Sequence, residues 1–144
     1  MPLNWELYFR EVFEMSDVKG SCHCGTVQWE FSLPITTVVK CHCGNCRKLQ
    51  GSDYATCVVV PAVQYKVVGG SDSVTEYKTE ISSKSFCSVC GSPSFLINGN
   101  HPTDVIVALG SIDTYIEELA PQIQVYTPDK AIWLNLHDDE PIFS

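Results

Sequence analysis

The sequence predicts a mainly β protein whose strand ends are tied together by metal-binding knuckles. Three observations carry this. Short runs of β-branched and aromatic residues, punctuated by Gly, Pro, Ser and Asp, recur from Lys19 onward. Seven of the eight cysteines fall in three tight clusters, Cys22-His23-Cys24, Cys41-His42-Cys43-Gly44-Asn45-Cys46 and Cys87-Ser88-Val89-Cys90, leaving Cys57 alone. Sustained helical periodicity is confined to the first 18 residues, where Trp5, Tyr8, Phe9, Val12 and Phe13 share one face.

The elements follow in order. Residues 1–18 are expected to form a helical extension docked on the protein's own core, and residues 19–144 a single zinc-binding domain. Val27, Trp29 and Phe31 alternate along a first strand candidate. Thr36 to Lys40 is β-branched and delivers the second cluster; a helical turn or two is expected from Gly44 to Leu49. Tyr54 to Val60 and Val63 to Val68 are separated by Pro61, and Gly69-Gly70 closes the second run. Val74 to Thr79 and Ser82 to Phe86 read as a hairpin leading to the third cluster. Ser94 to Ile97, Val105 to Leu109 and Ile123 to Tyr126 complete the strands, with a short helical piece expected near Asp113 to Leu119.

The cysteine spacing favours metal over disulfides. Neighbouring strand positions point to opposite faces, so cysteines one residue apart make poor disulfide partners. A tight knuckle instead aims both thiolates at one ion. Each cluster also carries a Cys-Gly step, at Cys24-Gly25, Cys43-Gly44 and Cys90-Gly91, where the chain can turn sharply. A closed structural zinc site takes four ligands, whereas a catalytic one keeps three and an open position. The two pairs make one closed site and the triplet one open site in the simplest partition; mixed pairings between clusters are also compatible with the spacing. Cys57 lies in a valine-rich run and reads as a buried thiol, with completion of the second site as the sharper alternative.

Composition narrows the partners. The formal charge is −8, and the densest basic spot is the pair Arg47-Lys48, which argues against nucleic-acid and anionic-membrane surfaces. No apolar run approaches the ~18 residues needed to span a bilayer. No secretory leader is evident at the N-terminus, and thiols kept free for metal point to a reducing compartment. The expected location is intracellular, in the cytoplasm.

Three ordered motifs carry a family resemblance: Gly20-Ser21-Cys22-His23-Cys24-Gly25, then Cys41-His42-Cys43-Gly44-Asn45-Cys46-Arg47-Lys48 with Gly51-Ser52, then Phe86-Cys87-Ser88-Val89-Cys90-Gly91. With them the chain resembles the glutathione-dependent formaldehyde-activating enzymes and the related centromere protein V group. The resemblance spans Gly20 to Phe143 and implies a β-tent fold of small antiparallel sheets. It implies two zinc ions, a structural one on Cys22, Cys24, Cys87 and Cys90 and a second on Cys41, Cys43 and Cys46. It also implies a histidine where this chain has Gln124.

The activity that the resemblance implies is that of a carbon–sulfur lyase acting on S-hydroxymethylglutathione or a related thiol–aldehyde adduct. The three thiolates of Cys41, Cys43 and Cys46 would leave a position for a small thiol such as glutathione. Arg47, directly after the third ligand, is the candidate partner for a carboxylate, because guanidinium meets carboxylate with two parallel hydrogen bonds. His23 and His42 sit between chelating cysteines and are expected to point outward or bond nearby groups. The alternative is a non-catalytic zinc module of the same fold that binds a protein partner.

Overall fold

The computed structural model describes residues 17–136 and 141–143. The expected N-terminal helix therefore lies outside the described residues except at Asp17 and Val18, and Val18 already opens the first strand. The described elements are β1 (Val18–Ser21), β2 (Gln28–Phe31), β3 (Thr37–Cys41), α1 (Gly44–Gln50), β4 (Ala55–Pro61), β5 (Tyr65–Gly69), β6 (Val74–Lys78), β7 (Ser82–Cys87), β8 (Pro93–Asn98), β9 (Asp104–Ala108), β10 (Ile123–Val125) and β11 (Ile142–Phe143). The mainly β architecture expected from the sequence is the one observed.

Two sheets share the strands. One is three-stranded and antiparallel, in the order β1-β2-β5; the other has the order β11-β10-β3-β4-β9-β8-β7-β6. The β6–β7 hairpin forms as expected, pairing Val74 with Cys87 and Lys78 with Ser83. At the far edge of the large sheet the pairing turns parallel: β10 runs alongside β3, and β11 alongside β10.

Alternation along the strands decides what is buried where. Trp29 and Phe31 are 1% and 0% exposed, and their rings stack at 6.0 Å. They meet Val38, Val58, Val60, Val105 and Val107 from one face of the large sheet, and this is the main core. Each such side chain contributes about 1.5–3 kcal/mol by leaving water. A smaller cluster forms around Val27, Cys22 and Cys87, where the first and third cysteine motifs meet. The opposite face of the large sheet carries Cys41, Ala55, Cys57 and Ala108, as the register pairs Cys41 with Ala55 and Cys57 with Ala108.

One expected element is different. Only Glu117–Leu119 turns, as a single 3-10 stretch, within the region from Asp113 to Leu119. The N–H groups of Asp113 and Thr114 both donate to Lys19 O, and Ile112 bridges Gly20. Pairing with β1 holds the start of this stretch extended, Ile116 is extended as well (φ −132°, ψ 153°), and Pro121 follows closely, which leaves room for a single turn only.

Candidate metal centres

The first centre joins two similar turns. In one, Cys22 N–H donates to Val27 O at 3.0 Å and Gly25 N–H to Cys22 O at 3.0 Å; in the other, Cys87 N–H donates to Ser92 O at 3.0 Å and Gly91 N–H to Cys87 O at 2.8 Å. Gly25 and Gly91 take φ of 78° and 77°, a left-handed conformation that strains any residue with a Cβ. The two turns bring the sulfurs of Cys22, Cys24, Cys87 and Cys90 within 4.8 Å of one another. Cys22 Sγ and Cys24 Sγ are 3.5 Å apart, and Cys24 Sγ and Cys87 Sγ 3.8 Å.

Those spacings fit a tetrahedral ion on thiolates: metal–sulfur bonds of about 2.3 Å put neighbouring sulfurs roughly 3.8 Å apart. The surroundings favour the ionised form. Val27 N–H donates to Cys22 Sγ at 3.2 Å, and Thr26 Oγ1 lies 3.1 Å from Cys24 Sγ. Thr26, through its hydroxyl and its backbone, holds the Cys24 thiol below its ordinary range. The hydroxyl of Ser92, 3.3 Å from Cys90 Sγ, with its backbone N–H, holds Cys90 down to about 5.

The second centre is local. Cys41 ends β3, Cys43 is the N-cap of α1, and Cys46 lies in its first turn. Cys43 has extended backbone angles and its sulfur accepts the Cys46 N–H at 3.2 Å, so one side chain both caps the helix and offers a ligand. The three sulfurs lie within 4.8 Å of one another, with Cys41 and Cys43 3.5 Å apart. The hydrogen bond with Cys46 lowers the Cys41 thiol to about 6, and that same bond raises Cys46. Three sulfurs this close cannot all be anionic unless a cation sits among them.

Both clusters named from the sequence are therefore assembled, and each could hold a metal ion. Cys57 stays out of the second group. It shares the face of Cys41 but pairs with Val39, one diagonal step away, and burial pushes its thiol up to about 12. His23 is exposed, and its N–H donates to Ser92 Oγ. His42 is 1% exposed, so it does not point into solvent. Its Nε2 lies 2.8 Å from Gln124 Oε1 on β10, while Gln124 is itself 2% exposed. Sequence reasoning had no signal for this pair, which spans two segments far apart in the chain.

Arg47 donates through Nη1 to Asp129 O at 3.3 Å. With Gly44, Lys48, Ser52, Asp53 and Trp133 it lines a cavity of about 470 Å³ beside α1. Trp133 Nε1 donates to Asp53 Oδ2 at 3.2 Å and holds the later segment over this cavity. At the other end of the helix, Lys84 Nζ donates to Leu49 O. Among the described residues, no helix is long and apolar enough to cross a membrane.

Comparison with known proteins agrees with this arrangement. The chain superposes on a structural-genomics crystal structure of a Rhodobacter sphaeroides protein with a TM-score of 0.61. That match has 24% identity and covers 74% of this chain and 97% of the other, and it shows a shared fold. No curated protein matches the sequence. The sequence model named for the glutathione-dependent formaldehyde-activating enzyme matches residues 17–129, a span that holds all seven clustered cysteines, Gln124 and β1 to β10. The chain belongs to the glutathione-dependent formaldehyde-activating enzyme family.

Proposed function

We propose that this protein is a zinc-dependent carbon–sulfur lyase that makes and breaks an adduct between a small thiol and an aldehyde, S-hydroxymethylglutathione or a close relative. One observation carries the reading: two cysteine groups stand in one small domain, one with four sulfurs and one with three. Four thiolates complete a coordination sphere, and three leave a position for a substrate atom. Soft, all-sulfur donor sets of this geometry suit zinc.

Zinc on Cys41, Cys43 and Cys46 would supply an open position that favours the ionised form of a substrate thiol. The protein's own residues do the rest. The cap at Cys43 and the buried His42–Gln124 contact fix the loop that carries two of the ligands. Arg47, half-buried beside the third ligand, takes a substrate carboxylate. In the forward direction the thiol sulfur bonds to the aldehyde carbon, the C=O double bond becomes C–O–H, and the thiol proton ends on that oxygen. The reverse reaction breaks the same C–S bond.

The test is exchange NMR of glutathione with formaldehyde in the presence of zinc-loaded protein. Accelerated exchange that disappears in Cys43→Ser is the expected result. Exchange at the uncatalysed rate with fully loaded protein would remove the lyase reading and favour a metal-stabilised binding module.

A further inference from the structure

An apolar groove of about 470 Å³ runs along the connection between β9 and β10. Ile112 and Leu119, both part of the main core and 3% and 5% exposed, lie deepest in its lining. Leu109, Ile116 and Pro121 are half-buried beside them, and Tyr115 stands 92% exposed at the rim. Polar groups contribute little. Thr114 Oγ1 already accepts the Lys19 N–H at 3.1 Å, and Glu117 is the one charged lining residue. A small-molecule site sets several polar groups to orient its ligand. This groove offers continuous apolar surface instead, of the kind that another stretch of protein covers.

The chain itself supplies such a stretch, and the topology brings it to the groove. β1 meets the start of the β9–β10 connection through the antiparallel Gly20–Ile112 bridge, and Lys19 O accepts the N–H groups of Asp113 and Thr114 at 2.8 and 3.3 Å. Because the two segments run in opposite directions, the chain upstream of Lys19 leads past Thr114 toward Tyr115 and Ile116. Its point of entry is fixed. Asp17 Oδ2 accepts the Leu33 N–H at 2.9 Å, and Val18 is fully buried in the core against which Ile116 packs. Residues 1–16 are thus tethered at the mouth of the groove.

The sequence of this segment suits the surface. Trp5, Tyr8, Phe9, Val12 and Phe13 fall on one face at helical spacing. Phe13 precedes Asp17 by four residues, so it stays within about 14 Å of the tether even if the link is extended. As a helix the whole segment measures about 24 Å. A short tether also gives a local concentration in the millimolar range, roughly, which favours this occupant over a second copy of the chain.

We propose that the groove is the docking site of the chain's own residues 1–16, which lay their aromatic stripe across Ile112, Ile116 and Leu119 and brace the connection that delivers β10. The inference is independent of the lyase reading.

The experiment uses the full zinc-loaded chain. Tyr115→p-benzoylphenylalanine sets a photoreactive aromatic at the exposed rim, and isotopically light and heavy chains are mixed before irradiation. Peptide mass spectrometry should find the cross-link within residues 5–13 of the same chain. The double variant Phe9→Ser, Phe13→Ser should lower that yield and speed amide exchange across residues 114–120 about tenfold or more, with β3 and α1 unchanged. The exchange measurement leaves the groove unaltered, so it stands if the photoreactive variant folds poorly. Cross-links joining light to heavy chains would give the groove to a second copy and overturn the proposal. Absence of any cross-link in residues 5–13, or unchanged exchange in the double variant, would overturn it as well.

Discussion

His42 Nε2 and Gln124 Oε1 lie 2.8 Å apart in the interior, joining the residue between two clustered cysteines to a strand that arrives 82 residues later. Backbone bonds brace the contact, as His42 N–H donates to Val125 O at 3.1 Å and Gln124 N–H to Pro141 O at 2.9 Å. The Tyr54 ring packs on the imidazole at 5.3 Å. Gln124→Met keeps the length of the side chain and removes the hydrogen bond. Leaving the imidazole nitrogen unpaired in the interior should cost about 1–3 kcal/mol. Urea unfolding of the metal-loaded protein measures it; a change under about 0.5 kcal/mol would be that of an ordinary surface substitution and would deny the pair any structural weight.

The two centres should release metal at different points. The four-sulfur group ties the β1–β2 turn to the β7–β8 turn, whereas the three-sulfur group is held within one turn and a helix start. A slow chelator titration should remove one equivalent while the far-UV circular dichroism holds, and the second only as the signal collapses. Loss of both metals in one step, together with the fold, would contradict this order.

Ligand substitutions should separate in the same way. Cys87 is 0% exposed and sits in the smaller core with Val27, so Cys87→Ser should give an unfolded or insoluble product. Cys43→Ser should fold, because a serine hydroxyl can take the Cys46 N–H and keep the helix cap, and should lose any lyase activity. Equal melting temperatures for the two variants would count against the division between a structural and a reactive centre.

Cys57 should behave as an inert core thiol. Burial raises it from the ordinary 9.0 to about 12, so it stays protonated where the unfolded chain would ionise. The stabilisation from this difference is fully present below about pH 9, and is lost as pH climbs toward the folded value. Iodoacetamide at pH 8 should leave Cys57 unmodified in the native protein and label it in denaturant, as read by peptide mass spectrometry. Cys57→Ala should keep both metals and show a shallower fall of stability above pH 9. Rapid native labelling, or loss of one metal in the variant, would show the thiol to be exposed or coordinating.

Much of this was legible in the chain because the determinants are local. Cys41, Cys43 and Cys46 need only one turn to converge, and the valine-rich strands announce themselves through β-branched residues. The polar strand Val18–Ser21 was not evident, because its pairing with β2 and the Ile112 bridge decide it and its own side chains do not. The strand order of the large sheet and the parallel β3–β10 pair were hidden for the same reason: they depend on segments that meet only when folded. Gln124 looked from the sequence like a substituted position. Its place in the interior, against His42, becomes visible only through that pairing.

The parallel edge of the large sheet also sets a timetable. During synthesis, the segments that build the four-sulfur centre are complete once Cys90 has emerged, and that centre can load and close the first half of the domain. The strand bearing Cys41 then still presents an open edge, since its neighbour β10 is translated some thirty residues later, about two to six seconds at ordinary elongation rates. His42 has no buried partner until that strand docks. The four sulfurs can thus be gathered before the strand that braces the three-cysteine loop arrives, so the two cysteine groups reach their final surroundings at different times.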